Sequence, residues 1–149
     1  MMDEKTLYLM SGVSGSGKSI MACMILNSLN LEGGDVSYRS TDLLWFDDAG
    51  NYNFDISKLG AMHKKNIELV ESDMSGTGTV IIVDNTCTTQ KEANPYIKLA
   101  EKYGYTVRVI SVSCNIDVAK KYNAERPKDR QVPEATIDKM DKRITRIKL

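Results

Sequence analysis

Eight residues constrain this chain more than any others. Gly12, Val13, Ser14, Gly15, Ser16, Gly17, Lys18 and Ser19 fit the pattern G-x-x-x-x-G-K-[ST]. They follow a short apolar run, Thr6 to Met10, and precede a helical pattern, Ile20 to Leu29, with Ile20, Met24 and Leu31 near one face. A strand before the motif and a helix after it is the context in which the pattern carries meaning. The glycines let the backbone curl until successive N–H groups point inward. The helix N-terminus adds positive potential toward an anion. The segment therefore reads as a phosphate cradle, with Lys18 reaching the β- and γ-phosphates of a nucleotide and the Ser19 hydroxyl ligating Mg²⁺. A chance Gly/Ser loop leaves the flanking strand and helix unexplained. The dinucleotide fingerprint G-x-G-x-x-G is not satisfied.

The rest of the chain alternates in the same way. Val36–Ser40, Val80–Val83 and Thr106–Val112 read as further strands. The four consecutive apolar residues Val80 to Val83 suit a central parallel strand buried on both faces. Ile56, Leu59, His63, Ile67, Val70 and Met74 recur at helical steps. Glu92–Tyr103 reads as a helix stopped by Gly104, and Ile116–Glu125 as another, with Asp117 helping its N-terminus. Pro133 opens a last helix whose stripe is Ile137, Met140, Ile144 and Ile147. Alternation of strands and helices around the phosphate loop predicts an α/β, three-layer P-loop NTPase fold, with a mainly parallel sheet of four strands flanked by helices. All 149 residues are expected to form one domain. Ligands in such sheets sit beyond the carboxyl ends of the strands, which focuses attention on 11–19, Thr41-Asp42, Asp84-Asn85 and Ser113.

Composition excludes several classes. With 20 basic and 20 acidic side chains the net charge is zero, so a uniformly basic nucleic-acid coat is excluded. The zero averages two unlike halves: residues 1–84 hold 6 basic and 12 acidic side chains, and residues 85–149 hold 14 and 8. The second half is thus the one suited to meet an anion, although solvated surface lysines explain such a balance equally well. The three cysteines, Cys23, Cys87 and Cys114, have no paired spacing, which argues against a disulfide framework or zinc site and for a reducing, cytoplasmic compartment. The first ten residues are acidic and too short for a signal peptide, and no apolar run approaches a membrane span.

Other residues carry chemistry. Asp84 ends the Val80–Val83 strand, as a metal-side acid does; capping a turn with Asn85 and Thr86 is its weaker reading. Asp42 follows the second strand and would face the phosphate loop across the cleft. It reads either as the base that takes a proton from an attacking hydroxyl or as an N-cap for Leu43 to Phe46, and spacing leaves both open. Arg126, Lys128 and Arg130 lie in a polar segment, 126–133, that reads as a flexible cationic lid. Arg126 and Arg130 are expected to close over the γ-phosphoryl group, because the planar fork of arginine meets phosphate oxygens in pairs; Lys128 reads as solvated. His63, on the apolar stripe, reads as structural, and Trp45 and Phe46 as packing rather than base-stacking residues. Asp47 to Gly50 spells D-x-x-G, but no N-K-x-D accompanies it.

Together, the phosphate loop, Ser40-Thr41-Asp42, Tyr52 to His63, Val83 to Thr86 and Asn123 to Pro133 resemble the phage polynucleotide kinase group over almost the whole chain. The resemblance implies a small P-loop kinase in a host cytoplasm that moves phosphate from ATP, with Mg²⁺, to the 5′-hydroxyl end of DNA or RNA. It matches Asp42 to the general base, Lys18 and Ser19 to the nucleotide and metal ligands, and Arg126 to the lid arginine. Two positions depart from the pattern. Trp45 stands where the group often has an arginine that engages the acceptor's phosphate, and Tyr122 replaces an earlier lid arginine. Arg39 and Arg130 are the candidates to compensate. The phosphatase domain of some members has no counterpart in these residues. Trp45 and Tyr122 motivate an alternative, a kinase of a nucleoside, nucleotide or sugar nucleotide. A switch-like nucleotide-binding module is a third reading, supported only by the misplaced D-x-x-G. The sequence specifies no oligomeric state.

Overall fold

The computed structural model describes residues 5–29, 36–76 and 78–149. Four strands, β1 (Thr6–Ser11), β2 (Val36–Arg39), β3 (Val80–Val83) and β4 (Thr106–Ser111), form one parallel sheet in the order β2-β3-β1-β4. Arg39, Val83, Leu9 and Val109 lie in one row across it. The carboxyl ends of β2, β3 and β1 therefore run out almost level. The expected three-layer α/β P-loop architecture is the one observed.

Five α-helices follow the strands: α1 (Lys18–Ser28), α2 (Leu59–Ser75), α3 (Gln90–Tyr103), α4 (Ile116–Ala124) and α5 (Glu134–Arg143). On one face of the sheet, Leu7, Leu9, Ile81 and Val83 pack against Val70 and Met74 of α2 and Tyr96, Ile97 and Ala100 of α3. On the other, Met10 and Ile82 pack against Ala22, with Ile25 and Leu26 around them. All four residues of β3 are buried, as a strand covered on both sides requires. α3 begins two residues before its expected start because Thr89 and Glu92 form a reciprocal capping box, and Gly104, in the left-handed conformation, ends it.

Three expected stripes are redrawn. Ile20 and Met24 of α1 point outward, at 71% and 60% exposure, and Ala22 faces the sheet instead. α1 is apolar around much of its circumference, so periodicity cannot choose its buried side. Leu31 lies outside the described residues. Ile56 belongs to a separate 3-10 turn, Ile56–Lys58, and is exposed. The stripe of α5 holds only for Ile137 and Met140, because the helix ends at Arg143 and Ile144 is extended. Ile147 still reaches the core, from the tail, which is tied to the start of α3 by Thr145 N–H donating to the Thr88 carbonyl and by paired Gln90–Lys148 bonds.

Truncating Ile137, which is fully buried, to alanine is expected to cost about 2–5 kcal/mol. Ile20→Lys is expected to stay within about 0.5 kcal/mol of the parent. Urea unfolding of the two variants checks the assignment of faces, and the reverse order would sink it.

Candidate active site

Gly12 opens the loop that leaves β1. A Cβ at Gly15 would lie 2.1 Å from the Ala119 carbonyl oxygen of α4, and its φ is +82°, so no other residue fits there. Gly17, at φ +98°, turns the chain into α1 without a side-chain cap, leaving the first-turn N–H groups facing the loop. The backbone of Gly12 is anchored where its N–H donates to the Thr86 carbonyl, and Ser11 Oγ donates to the Cys87 carbonyl. Ser14 Oγ lies 3.6 Å from the Met140 sulfur of α5.

Within this loop the polar groups are left wanting an anion. Among the described residues Ser16 Oγ is buried with no hydrogen-bond partner. Lys18, 8% exposed, donates to the Val13 carbonyl at 2.9 Å. Burial pulls its ammonium down to about 8; the Asp84 carboxylate opposes that shift and the Arg126 charge adds to it. A buried cation over an under-satisfied loop is what a phosphate would complete.

Asp84 stands at the carboxyl end of β3, 7% exposed. Its Oδ2 accepts from Ser19 Oγ at 2.8 Å and from the Tyr38 hydroxyl of β2. The two candidate metal ligands, Ser19 and Asp84, thus meet directly. Tyr38 was not singled out in the sequence; its strand position, pointing to the α1 side as Ile82 does, was the available signal. Desolvation and the bond to Asp84 hold its phenol well above the usual tyrosine range.

Asp42 lies inside a 3-10 turn, Thr41–Trp45, whose N-cap position is Ser40, so the N-cap reading of Asp42 does not hold. The turn is hung from β3 by Thr41 N–H donating to Asn85 Oδ1 at 2.9 Å. Asn85 Nδ2 and Asn66 Nδ2 both donate to the Tyr96 hydroxyl, tying the turn to α2 and α3. His63, half-buried and with its imidazolium disfavoured by desolvation, sits 3.4 Å from Thr41 Oγ1, a structural place. Asp42 accepts from Tyr52 at 2.6 Å and from Arg130 at 2.7 Å. Trp45 is buried edge-on against Phe54, the packing role expected for it. Asp47 to Gly50 is a turn, with Asp47 accepting from Ala49 and Asn51 N–H and from Asn53, which absorbs the D-x-x-G.

The segment 126–133, expected to be a flexible lid, is pinned by side chain–backbone bonds. Asn123, 3% exposed, bonds the Val132 backbone through both ends of its amide, and Gln131 donates to the carbonyls of Ala124 and Arg126. The two lid arginines part company. The charge of Arg126 reaches Lys18, whereas Arg130, expected beside it over the nucleotide, is tied to Asp42 and lies over the Phe46 and Tyr52 rings. Arg39 is taken up in a two-bond pair with Asp73. Beside the loop a cavity of about 410 Å³ opens between Ser11, Val13, Ser113, Cys114, Asp141 and Arg146.

A phosphate loop at the end of β1, with a carboxylate at the end of β3 touching its serine, is the arrangement of the P-loop nucleotide-binding fold. The family model AAA_33, described as an AAA domain, matches residues 7–147, and the chain belongs to that family. It is 33% identical over 101 residues to human NEDD4-binding protein 2, an alignment spanning 68% of this chain and 5% of that protein. In fold it is similar to a chain of the Pnkp1/Rnl/Hen1 RNA repair complex, with a TM-score of 0.71 at 15% identity, covering 96% of this chain and 45% of that one. It is also similar to Chaetomium thermophilum Kti12 in complex with ADP-AlF3, with a TM-score of 0.70 at 15% identity, covering 94% and 80%. Among the described residues no helix is long and apolar enough to cross a membrane.

Two outcomes test the loop. Gly15→Ala is expected to abolish ATP binding while the protein stays folded, read by calorimetry and circular dichroism. Because Lys18 is charged below about 8, ATP affinity is expected to fall as the pH rises through that value. Without nucleotide the sign reverses. The folded state binds fewer protons than the unfolded one, so this lysine adds stability as the pH rises from about 8 toward 10.5. A flat affinity profile would remove Lys18 from phosphate binding.

Proposed function

We propose that the protein is an ATP-dependent kinase whose acceptor is a hydroxyl, foremost the 5′-hydroxyl end of DNA or RNA. The observation that carries this reading is the position of Asp42. Its turn follows β2, Asp84 follows β3, and the phosphate loop follows β1, in that spatial order. Two strand spacings separate the carboxylate's strand from that of the loop, roughly 10 Å, which leaves room for a γ-phosphoryl group and an attacking oxygen between them. A nucleotide-binding module without transfer has no use for a carboxylate held there.

The chain's own groups account for the reaction. The loop N–H groups and the Ser16 hydroxyl hold the β- and γ-phosphates, and Lys18 neutralises them. Arg126 adds charge from the lid, and the nucleoside extends toward the 410 Å³ cavity. Ser19 and Asp84 suit Mg²⁺: among the described residues no group of three or more His, Cys, Asp or Glu could hold a metal, and Mg²⁺ typically takes one or two protein ligands with phosphates and water. When bound, Mg²⁺ supplies charge neutralisation of the β- and γ-oxygens. The acceptor oxygen forms its bond to the γ-phosphorus as the bond to the β–γ bridging oxygen breaks. ADP leaves, and Asp42 takes the hydroxyl proton.

A compact acceptor, a nucleoside, nucleotide or sugar nucleotide, is the second reading. The Phe46–Tyr52 ring pair near Asp42, 5.1 Å between centroids, favours it. Incubation with γ-labelled ATP, Mg²⁺ and a panel of 5′-hydroxyl oligonucleotides, nucleosides and nucleotides decides between the two. Asp42→Asn is expected to bind ATP normally and to lose transfer by about 10²–10⁴-fold. Transfer at the parental rate would remove Asp42 as the base, and labelling of no acceptor would remove the kinase reading.

A further inference from the structure

The hydroxyl of Tyr38 reaches the carboxylate of Asp84 because of strand register. Tyr38 sits opposite Ile82, and Asp84 lies two residues beyond Ile82, so both side chains leave the sheet on the face that α1 covers. The ring of Tyr38 packs against Met10, Ala22 and Ile82, a place that a phenylalanine ring would fill as well. The hydroxyl adds something that packing does not need. It donates to Asp84 Oδ2, the same oxygen that accepts from Ser19 Oγ at 2.8 Å. Among the described residues no donor reaches Asp84 Oδ1, and that oxygen is not sealed from solvent.

β2 therefore holds Asp84 at two points. The Asp84 N–H donates to the Arg39 carbonyl at 2.9 Å, and the Asp84 side chain is met by Tyr38. Ser19 alone would hold it poorly. It is exposed in the first turn of α1, and a hydroxyl rotates to suit whichever acceptor is near. A hydroxyl that ligates a cation through its lone pairs has to aim its proton elsewhere, and Asp84 Oδ2 is the acceptor that takes it here. A carboxylate free to rotate about its Cβ–Cγ bond would release that proton and exchange its two oxygens. We infer that Tyr38 is a positioning residue for the metal side of the cleft: its bond to Oδ2 fixes the Asp84 carboxylate, so that Oδ2 keeps the Ser19 proton and Oδ1 is left for Mg²⁺ or for a water on it. This inference rests on the reading above in which Ser19 and Asp84 are the residues that suit Mg²⁺. It does not depend on which acceptor is phosphorylated. Removing a group that orients a metal's ligand typically costs about 10- to 100-fold in metal affinity.

The test reads binding and needs no transfer. Calorimetry measures the affinity of a β,γ-imido analogue of ATP twice, once with Mg²⁺ in excess and once with a chelator. By linkage, the ratio of the two affinities equals the ratio of Mg²⁺ affinities for the bound and the free nucleotide. In the parent protein that ratio is expected to be well above one. Tyr38→Phe keeps the ring and deletes the hydroxyl, with circular dichroism checking the fold. It is expected to lower the ratio by roughly 10- to 100-fold and to leave the affinity in chelator in place. In an Asp84→Asn background the same substitution is expected to change nothing further, because Tyr38 acts through that carboxylate. A purely structural role would give a different pattern, with affinity lost equally in Mg²⁺ and in chelator, and that result would overturn the inference. So would a ratio that survives in Tyr38→Phe, or a loss that persists in the Asp84→Asn background. A ratio of one in the parent itself would remove Ser19 and Asp84 as metal residues, and the role of Tyr38 with them.

Discussion

Parallel strands cannot be joined by hairpins, and the architecture of this protein follows from that constraint. Each strand must be followed by a crossover long enough to return the chain to the same edge of the sheet, and helices provide it. The crossovers after β1, β2 and β3 all begin at the opposite edge, where the carboxyl ends of the strands lie. Chain segments far apart in sequence therefore start their loops side by side, and the row Arg39, Val83, Leu9 brings those loops out nearly level. Asp42, Asp84 and Lys18 are brought to one edge by this geometry.

The folded protein nevertheless carries electrostatic tension at that edge. Lys18 is buried with a backbone carbonyl for company, and among the described residues Ser16 Oγ is buried with no partner. Unsatisfied groups of this kind cost stability, which a ligand that binds only the folded state returns through mass action. Carboxylates on either side are treated differently. Asp84 is enclosed by two hydroxyls, Ser19 and Tyr38, which dilute its charge without cancelling it, whereas Asp42 is met by a full cation.

Much of this was legible in the sequence, and the failures have physical causes. The strands read clearly because buried parallel strands are runs of apolar residues, and the phosphate loop because its glycines are sterically obligatory, as the Ala119 carbonyl beside Gly15 shows. The buried side of α1 was not legible, since a helix apolar on most sides has no periodic signal to read. Ile147 was assigned to a helix stripe although it reaches the core from an extended tail, because spacing cannot report where a helix ends. The partnerships of Tyr38 with Asp84, and of Arg130 with Asp42 across 88 residues of sequence, depend on tertiary geometry that no local pattern encodes.

One buried amide has a mechanical meaning. Asn123 grips the Val132 backbone by both its carbonyl and its amino group, so the intervening residues form a closed loop with a 3-10 turn at its tip. A loop clasped at its base keeps its shape as a unit and does not unravel like a thread. Arg126 and Arg130 both lie within this loop, the charge of one felt by Lys18 and the other paired with Asp42. The clasp holds both arginines between Asn123 and Val132, so their spacing is set by the fold of this one loop.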